Sequence, residues 1–407
     1  MKAATVRLVG ATATALACLN VSPAFAQSNI QLYGVLDTGI EFVTHAGPTG
    51  DSVWRVPGIT GTMPSRWGIR GTEDLGGGLH ALFTLENGFN VRAGDVNQGG
   101  RLFGRQSWVG LQNDWGTLSF GRQYSMTFWA LSDADILGPD IYGGLGSFDA
   151  YIPNARSDNT VAYKQTWQGL TFGATWSFGR DNGGTGNSPG QGTCAGNGTG
   201  ANGSPACRQW SAMLRYDTAS FGVATAYDQQ RGGPGAAANF FDGVAPVAIA
   251  GSGATDTRIQ FNGYVKGGSW KVGGGWLGRR VSTDAAGLPG VNSDMFYLTA
   301  SYTLAPQYVI DGGVYRIVNA QHDTRGTIAA LRGTWLLSRR SAVYLQTGCA
   351  CGVHPQPRWR GCLAERGGEP VRGDGRGASY VLTSPVESDG RALCASQRAL
   401  SAVFEQL

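Results

Sequence analysis

Apolar and polar residues alternate along most of the chain, and the alternation predicts strands. In Leu170-Thr171-Phe172-Gly173-Ala174-Thr175-Trp176-Ser177-Phe178 one face holds Leu170, Phe172, Ala174, Trp176 and Phe178, and the other Thr, Gly, Thr and Ser. Phe296, Leu298, Ala300, Tyr302 and Leu304 alternate with Tyr297, Thr299, Ser301 and Thr303 in the same way. Ile259, Phe261, Gly263 and Val265 alternate with Arg258, Gln260, Asn262, Tyr264 and Lys266, which sets charge on one wall. A period of two with one fully apolar face is the mark of a strand that has lipid on one side and water on the other. Short turns such as Asp74-Leu75-Gly76-Gly77-Gly78, Gln168-Gly169 and Gly267-Gly268-Ser269 alternate with longer polar segments at 91–101, 125–157, 180–208, 231–256 and 281–293. Short turns on one rim and long loops on the other predict an all-β fold, a transmembrane antiparallel up-and-down β-barrel. Trp67, Trp115, Trp167, Trp210, Trp270 and Trp335 stand near predicted strand ends, where interfacial aromatic girdles form.

About fifteen strands can be read before Gly348, whereas a single-chain bacterial barrel closes with an even number. An open edge in hydrocarbon leaves N–H and C=O groups unpaired at several kcal/mol each, so one strand is wanting. After Gly348 the alternation stops. Cys349-Ala350-Cys351-Gly352-Val353-His354-Pro355-Gln356-Pro357-Arg358 is dense in proline, which argues against a central strand. From there to Leu407 the text holds no amphipathic segment of about ten residues. The expectation is a barrel over residues 27–348 and an aberrant, disordered tail over 349–407, produced by a reading-frame shift near codon 348. An evolved periplasmic extension is the alternative. The last strand is then missing or altered, and assembly suffers.

Composition agrees with a barrel. Charged residues are 15% of the chain, Gly numbers 65 and aromatic residues reach 10%, against about 25% charged residues in soluble domains. A mean hydropathy of −0.15 and the lack of a long apolar run after residue 26 exclude a helical membrane protein. Acidic and basic groups nearly balance outside the two ends, so nucleic acid is not an expected partner. Lys2 and Arg7, the apolar run Leu8 to Leu19, and Ala24-Phe25-Ala26 read as a signal peptide over residues 1–26. Export brings oxidising conditions, so Cys194 and Cys207, within one Gly/Asn/Ser-rich stretch, are candidates for a loop disulfide. A zinc site is the rival, with no His beside them. His45, His80, His322 and His354 show no metal-ligand spacing, and neither a catalytic triad nor a phosphate loop is legible, so no metal, cofactor or catalytic residue is expected.

Longer motifs add a family. Ser65-Arg66-Trp67-Gly68-Ile69-Arg70-Gly71-Thr72-Glu73-Asp74-Leu75-Gly76-Gly77-Gly78-Leu79 followed by Leu85-Glu86-Asn87-Gly88-Phe89 resembles the second hairpin of general porins from β-proteobacteria. Val109-Gly110-Leu111 and Gly116-Thr117-Leu118-Ser119-Phe120-Gly121-Arg122-Gln123-Tyr124 resemble the next hairpin, and Leu32-Tyr33-Gly34-Val35-Leu36-Asp37 the first strand. The resemblance covers roughly residues 28 to 348 and implies a sixteen-stranded design, a homotrimer, and passive diffusion of small hydrophilic solutes through the outer membrane. It also implies contact with outer-membrane lipid and lipopolysaccharide, and handling by periplasmic chaperones and the barrel-assembly machinery. That machinery reads a terminal aromatic residue, whereas this chain ends Phe404-Glu405-Gln406-Leu407.

In the family the third extracellular loop narrows the channel; here it is Ser125 to Asn159, with Asp133, Asp135, Asp140 and Asp149. Arg66 and Arg122 match the family's wall arginines, and parity turns Arg66 and Arg70 inward if Trp67 and Ile69 meet lipid. Parity from Leu118 and Phe120 turns Arg122 outward, so its inward position requires a bulge. Asp140 follows Pro139 and reads as a turn residue, leaving Arg66, Arg70, Arg122, Asp133, Asp135 and Asp149 as the expected constriction. Opposed guanidinium and carboxylate groups would set a field across the pore, and the wall arginines predict weak anion preference. A barrel acting mainly as adhesin or receptor, an outer-membrane hydrolase, and a non-functional truncated porin are the alternatives.

Overall fold

The computed structural model describes residues 29–46, 51–58, 63–138, 155–181, 194, 205–238, 247–284, 290–321, 323–353 and 395–405. The signal peptide, Asp140, Asp149 and most of the tail, including the proposed disorder over 354–394, lie outside the described residues.

Sixteen long strands follow one another in chain order: β1 (Asn29–Ala46), β2 (Arg66–Gly76), β3 (Leu79–Gly88), β4 (Gln106–Asn113), β5 (Gly116–Tyr124), β6 (Arg156–Trp167), β7 (Leu170–Ser177) and β8 (Gln209–Asp217). The second half comprises β9 (Phe221–Arg231), β10 (Thr255–Gly267), β11 (Trp270–Ser282), β12 (Val291–Ala305), β13 (Tyr308–Asn319), β14 (Thr324–Leu336), β15 (Ser341–Val353) and β16 (Ala395–Glu405). Each pairs antiparallel with the next. The segment Asp51–Arg55 extends the sheet at the loop end of β1, and Ala237–Ala238 pairs with Val247–Ala248 inside a loop.

The ring closes through the tail. Val35 to Val43 of β1 lie opposite Glu405 to Gln397, and the other edge of β16 pairs with Ser341 to Ala350 of β15. The expectation of a missing last strand is therefore corrected: residues 395–405 supply it. The prolines that argued against a strand stop short of this segment, which contains neither proline nor glycine. Two flanking edges whose amides have no other partner in hydrocarbon supply the drive for it to pair. Strand β15 also runs past the expected boundary, to Val353, and ends before the first tail proline.

The faces follow the alternation. Leu170, Phe172, Trp176 and Phe178 are exposed, as are Phe261, Val265, Phe296, Leu298 and Leu304, whereas Arg258, Gln260 and Asn262 on the alternate positions are buried. Loops and turns segregate to opposite rims. The turns are 77–78, 114–115, 168–169, 218–220, 268–269, 306–307 and 337–340, against a loop of 125–155 between β5 and β6. Gly77 and Gly78 have φ of +62° and +78°, a conformation that suits glycine in so tight a reversal. Beside these turns Trp115, Trp167, Trp270 and Trp335 are exposed. Trp270 stacks near Tyr302 and Trp335 near Tyr308, forming an aromatic belt at one interface. In the β7–β8 loop a disulfide joins Cys194 to Cys207, with Cα atoms 5.5 Å apart. It packs against Ala236, Ile249 and Val281.

Candidate pore constriction

The loop after β5 does not stand out from the rim; it turns into the barrel and is fastened strand by strand to the inner wall. It opens with the short helix Met126–Leu131. The Met126 amide donates to Ser211 Oγ of β8 at 2.9 Å, and Gln260 Nε2 of β10 donates to the Thr127 carbonyl at 2.9 Å. Arg215 of β8 donates to the Trp129 carbonyl at 3.0 Å, and Thr299 Oγ1 of β12 to the Ala134 carbonyl at 2.8 Å. Tyr315 of β13 donates to Asp135 Oδ1. Each bond satisfies a polar group that would otherwise be buried unmatched.

Apolar packing supplements these bonds. Leu131, Ala134 and Leu137 press on Leu277, Met295, Tyr297, Tyr315, Ile317 and Ile328, all buried. These positions belong to the inner face, which alternation predicts to be polar. They are apolar because the loop, rather than water, covers them. Where the loop comes closest the wall has glycine: a Cβ on Gly273 would lie 2.1 Å from the Ala134 carbonyl oxygen, and one on Gly173 2.4 Å from Met126 Sδ.

On the other side of the lumen, β2 to β6 and the loop before β4 gather arginines around two carboxylates. Glu86 of β3 is held by Arg105 at 2.6 Å and Arg66 at 3.6 Å, and accepts from Tyr33 Oη at 2.9 Å. Asp158 of β6 is held by Arg122 at 2.8 Å and Arg101 at 2.9 Å. Tyr124 Oη accepts from both Arg105 and Arg156 at 2.8 Å, which links the two groups. Five guanidinium groups thus surround two carboxylates.

The expected site residues separate in this geometry. Arg66 and Arg122 belong to the arginine wall. The bulge that Arg122 requires is present: pairing with β6 slips between Gly121 and Gln123, Gly121 has φ +128°, and the guanidinium turns inward to Asp158 and the Gly104 carbonyl. Arg70 stands apart, nearer the turn rim, bonded to Gln31 Oε1 at 2.7 and 2.9 Å and over the Tyr33 ring. Asp133 is half-exposed and pairs with Arg215 and, at 3.7 Å, Lys271. Asp135 does not line the water. It is 3% exposed, turned into the wall against Tyr315, because the polypeptide needs a polar anchor where the loop meets β13. Burial pushes its carboxyl up to about 7, opposed by the Tyr315 hydroxyl, the Gly138 and Leu137 amides and Arg332.

The sequence did not single out Glu86, Arg101, Arg105, Arg156, Asp158 or Arg215. Register offers the signal for one of them, since Glu86 of β3 lies opposite Gly68 of β2 and so shares the inner face with Arg66 and Arg70. Arg101 and Arg105 come from a loop, where parity has no hold.

A closed sixteen-strand barrel, apolar outside, with a charged lumen narrowed by an inward loop, defines a channel of the outer membrane. Residues 11–348 match the model of the Gram-negative porin family, and the chain belongs to that family. An outer membrane porin protein of Bordetella pertussis is 31% identical over 350 residues, 78% of this chain and 88% of its own length. Outer membrane porin protein 32 of Delftia acidovorans is 35% identical over 176 residues, 40% of this chain and 48% of that one. Among solved structures, an anion-selective porin from Comamonas acidovorans superposes with a TM-score of 0.69 at 19% identity, covering 93% of this chain and 100% of that one. A trimer form of OmpT from Vibrio cholerae gives 0.61 at 15% identity, covering 93% and 99%. The protein is an outer-membrane porin, a passive channel for small hydrophilic solutes.

Proposed function

We propose that the channel is narrowest between the third loop and the arginine wall, and that it passes small anions in moderate preference to cations. The observation that carries this is the ratio of charge at the wall: Arg66, Arg101, Arg105, Arg122 and Arg156 against Glu86 and Asp158. Low-dielectric walls focus such an excess onto the lumen and raise the local anion concentration. On the loop side Asp133 is compensated by Arg215 and Lys271, so it subtracts little from the field. Arg70 adds a cation deeper in the lumen. Among solved structures of this fold, the porin from Comamonas acidovorans is anion-selective, which supports the reading.

The working unit is a homotrimer set in outer-membrane lipid and lipopolysaccharide, assembled through periplasmic chaperones and the barrel-assembly machinery, and transport involves no catalytic step or cofactor. The trimer form of the OmpT neighbour supports the assembly. Zero-current potential in a KCl gradient across a planar bilayer tests the selectivity. A potential of the sign set by chloride is expected, and clear K⁺ selectivity overturns it.

A further inference from the structure

The barrel carries cations on its outer face where only lipid is expected. Arg280 of β11, Arg316 of β13 and Arg325 of β14 are all exposed and share the outward parity of Trp276, Val314 and Leu331. They stand within a few residues of the loop rim on three of the four neighbouring strands β11 to β14, a width of about 14 Å at the usual strand spacing. Val318 pairs with Arg325 and Arg316 with Thr327, so Arg316 and Arg325 are diagonal neighbours. Among the described residues two carboxylates lie at this patch: Asp294, which bonds Arg280 at 2.9 Å and Trp276 Nε1 at 3.1 Å, and the exposed Asp323, two residues before Arg325. Three guanidinium groups to two carboxylates among the described residues leave the patch positive, with the Asp294 charge taken up by Arg280. Charge facing lipid is costly at the bilayer centre and tolerated at the headgroup level. Trp276 and Phe261, stacked with ring centroids 5.9 Å apart just below, place that level here.

Directly beneath, toward the turn rim on β12 to β15, the same face is hollowed. Ala300, Gly312 and Ala329 form a low floor between Leu298, Val314 and Leu331, and the shallow, open groove measures about 540 Å³. It begins about 7 Å from Arg316 along β13, counted at one residue per 3.4 Å.

The geometry points to a bound lipid of the outer leaflet whose phosphate sits on Arg316, Arg325 and Arg280 and whose acyl chain lies in this groove. Planar guanidinium groups suit bidentate contact with phosphate oxygens, and an apolar groove continuous with the cationic patch fits one amphiphile better than two separate ligands. The inference deepens the lipid contact named above and rests on the long loops facing the outer leaflet.

The test uses the full chain folded and delipidated in detergent micelles, so that it depends neither on orientation nor on conduction. Native mass spectrometry would follow retention of a bis-phosphorylated glycolipid, with phosphatidylcholine as comparison and inorganic phosphate as competitor. The wild-type protein should retain the glycolipid at least tenfold more strongly than phosphatidylcholine. Arg316→Gln with Arg325→Gln should lower retention tenfold or more, and Ala329→Phe, which fills the groove, should lower it as well. Arg339→Gln with Arg340→Gln, in the turn at the opposite rim, should leave it unchanged. Heat-modifiable migration and wild-type conductance verify that the variants fold and conduct. Unchanged retention in the Arg316/Arg325 variant overturns the proposal. Displacement of the glycolipid by millimolar inorganic phosphate also overturns it, since the groove would then contribute nothing. A change in subunit number with lipid retention intact would assign this face to a second copy and equally overturn it.

Discussion

Asp135→Asn should remove a pH dependence from the third loop. The carboxyl is faced by the hydroxyls of Tyr315 and Tyr297 and by Arg332, itself paired with Asp311 at 2.9 Å. Leu131, Leu137, Ile317 and Ile328 close the surroundings. Docked, the carboxyl titrates at about 7; released into water, it returns to about 3.9. The docked loop therefore holds the proton more tightly than the released one. Docking is strongest below about pH 4, weakens as pH rises, and is weakest above about pH 7. A difference of about three units corresponds to about 4 kcal/mol, enough to alter the released population by about a thousandfold. Asparagine keeps the shape and the acceptor for Tyr315 but has no charge to desolvate. Single-channel recordings between pH 4 and pH 9 should show open-channel noise of the wild type rising with pH, while the variant stays at the low-pH level throughout. A variant whose noise follows the wild-type curve would refute the reasoning.

Gly273→Val would drive a side chain into the Ala134 carbonyl, 2.1 Å from the ideal Cβ, so the loop should shift and single-channel conductance change while heat-modifiable migration stays normal; unaltered conductance would count against the docking. Arg122→Ala together with Arg105→Ala should shift the KCl zero-current potential toward cation preference, because Asp158 and Glu86 each lose a partner; an unmoved potential would place selectivity elsewhere. Cys194→Ser should cost about 3 kcal/mol of local stability, as expected for a cross-link closing a loop of this length, and should speed proteolytic nicking of the β7–β8 loop without changing conductance.

The outer wall was legible because lipid imposes one rule on the outward positions of the membrane-spanning band. Leu170, Phe172 and Trp176, or Phe296 and Leu298, follow it without exception, and so does the inner charge of Arg258. Legibility fails where the chain meets itself. Leu277, Met295 and Ile317 break the inner polar rule because a loop covers them, and nothing in their own strands reports that loop. Asp133 and Asp135 of the third loop looked equivalent in sequence. In the structure Asp133 pairs with Arg215 and Lys271, whereas Asp135 is an anchor. Arg122 turns inward through the register slip at Gly121, whose position strand parity alone does not report. The closing strand was missed because proline-rich text before it obscured an eleven-residue segment, Ala395–Glu405, whose partners are fixed by closure rather than by its own pattern.

Liposome swelling by the full chain tests the central claim most directly. Vesicles reconstituted with the purified protein should admit small sugars at rates that fall steeply with solute size, and deletion of residues 395–407 should abolish the flux by opening the ring between β15 and β1. Vesicles that remain impermeable with folded full-length protein present would contradict the account.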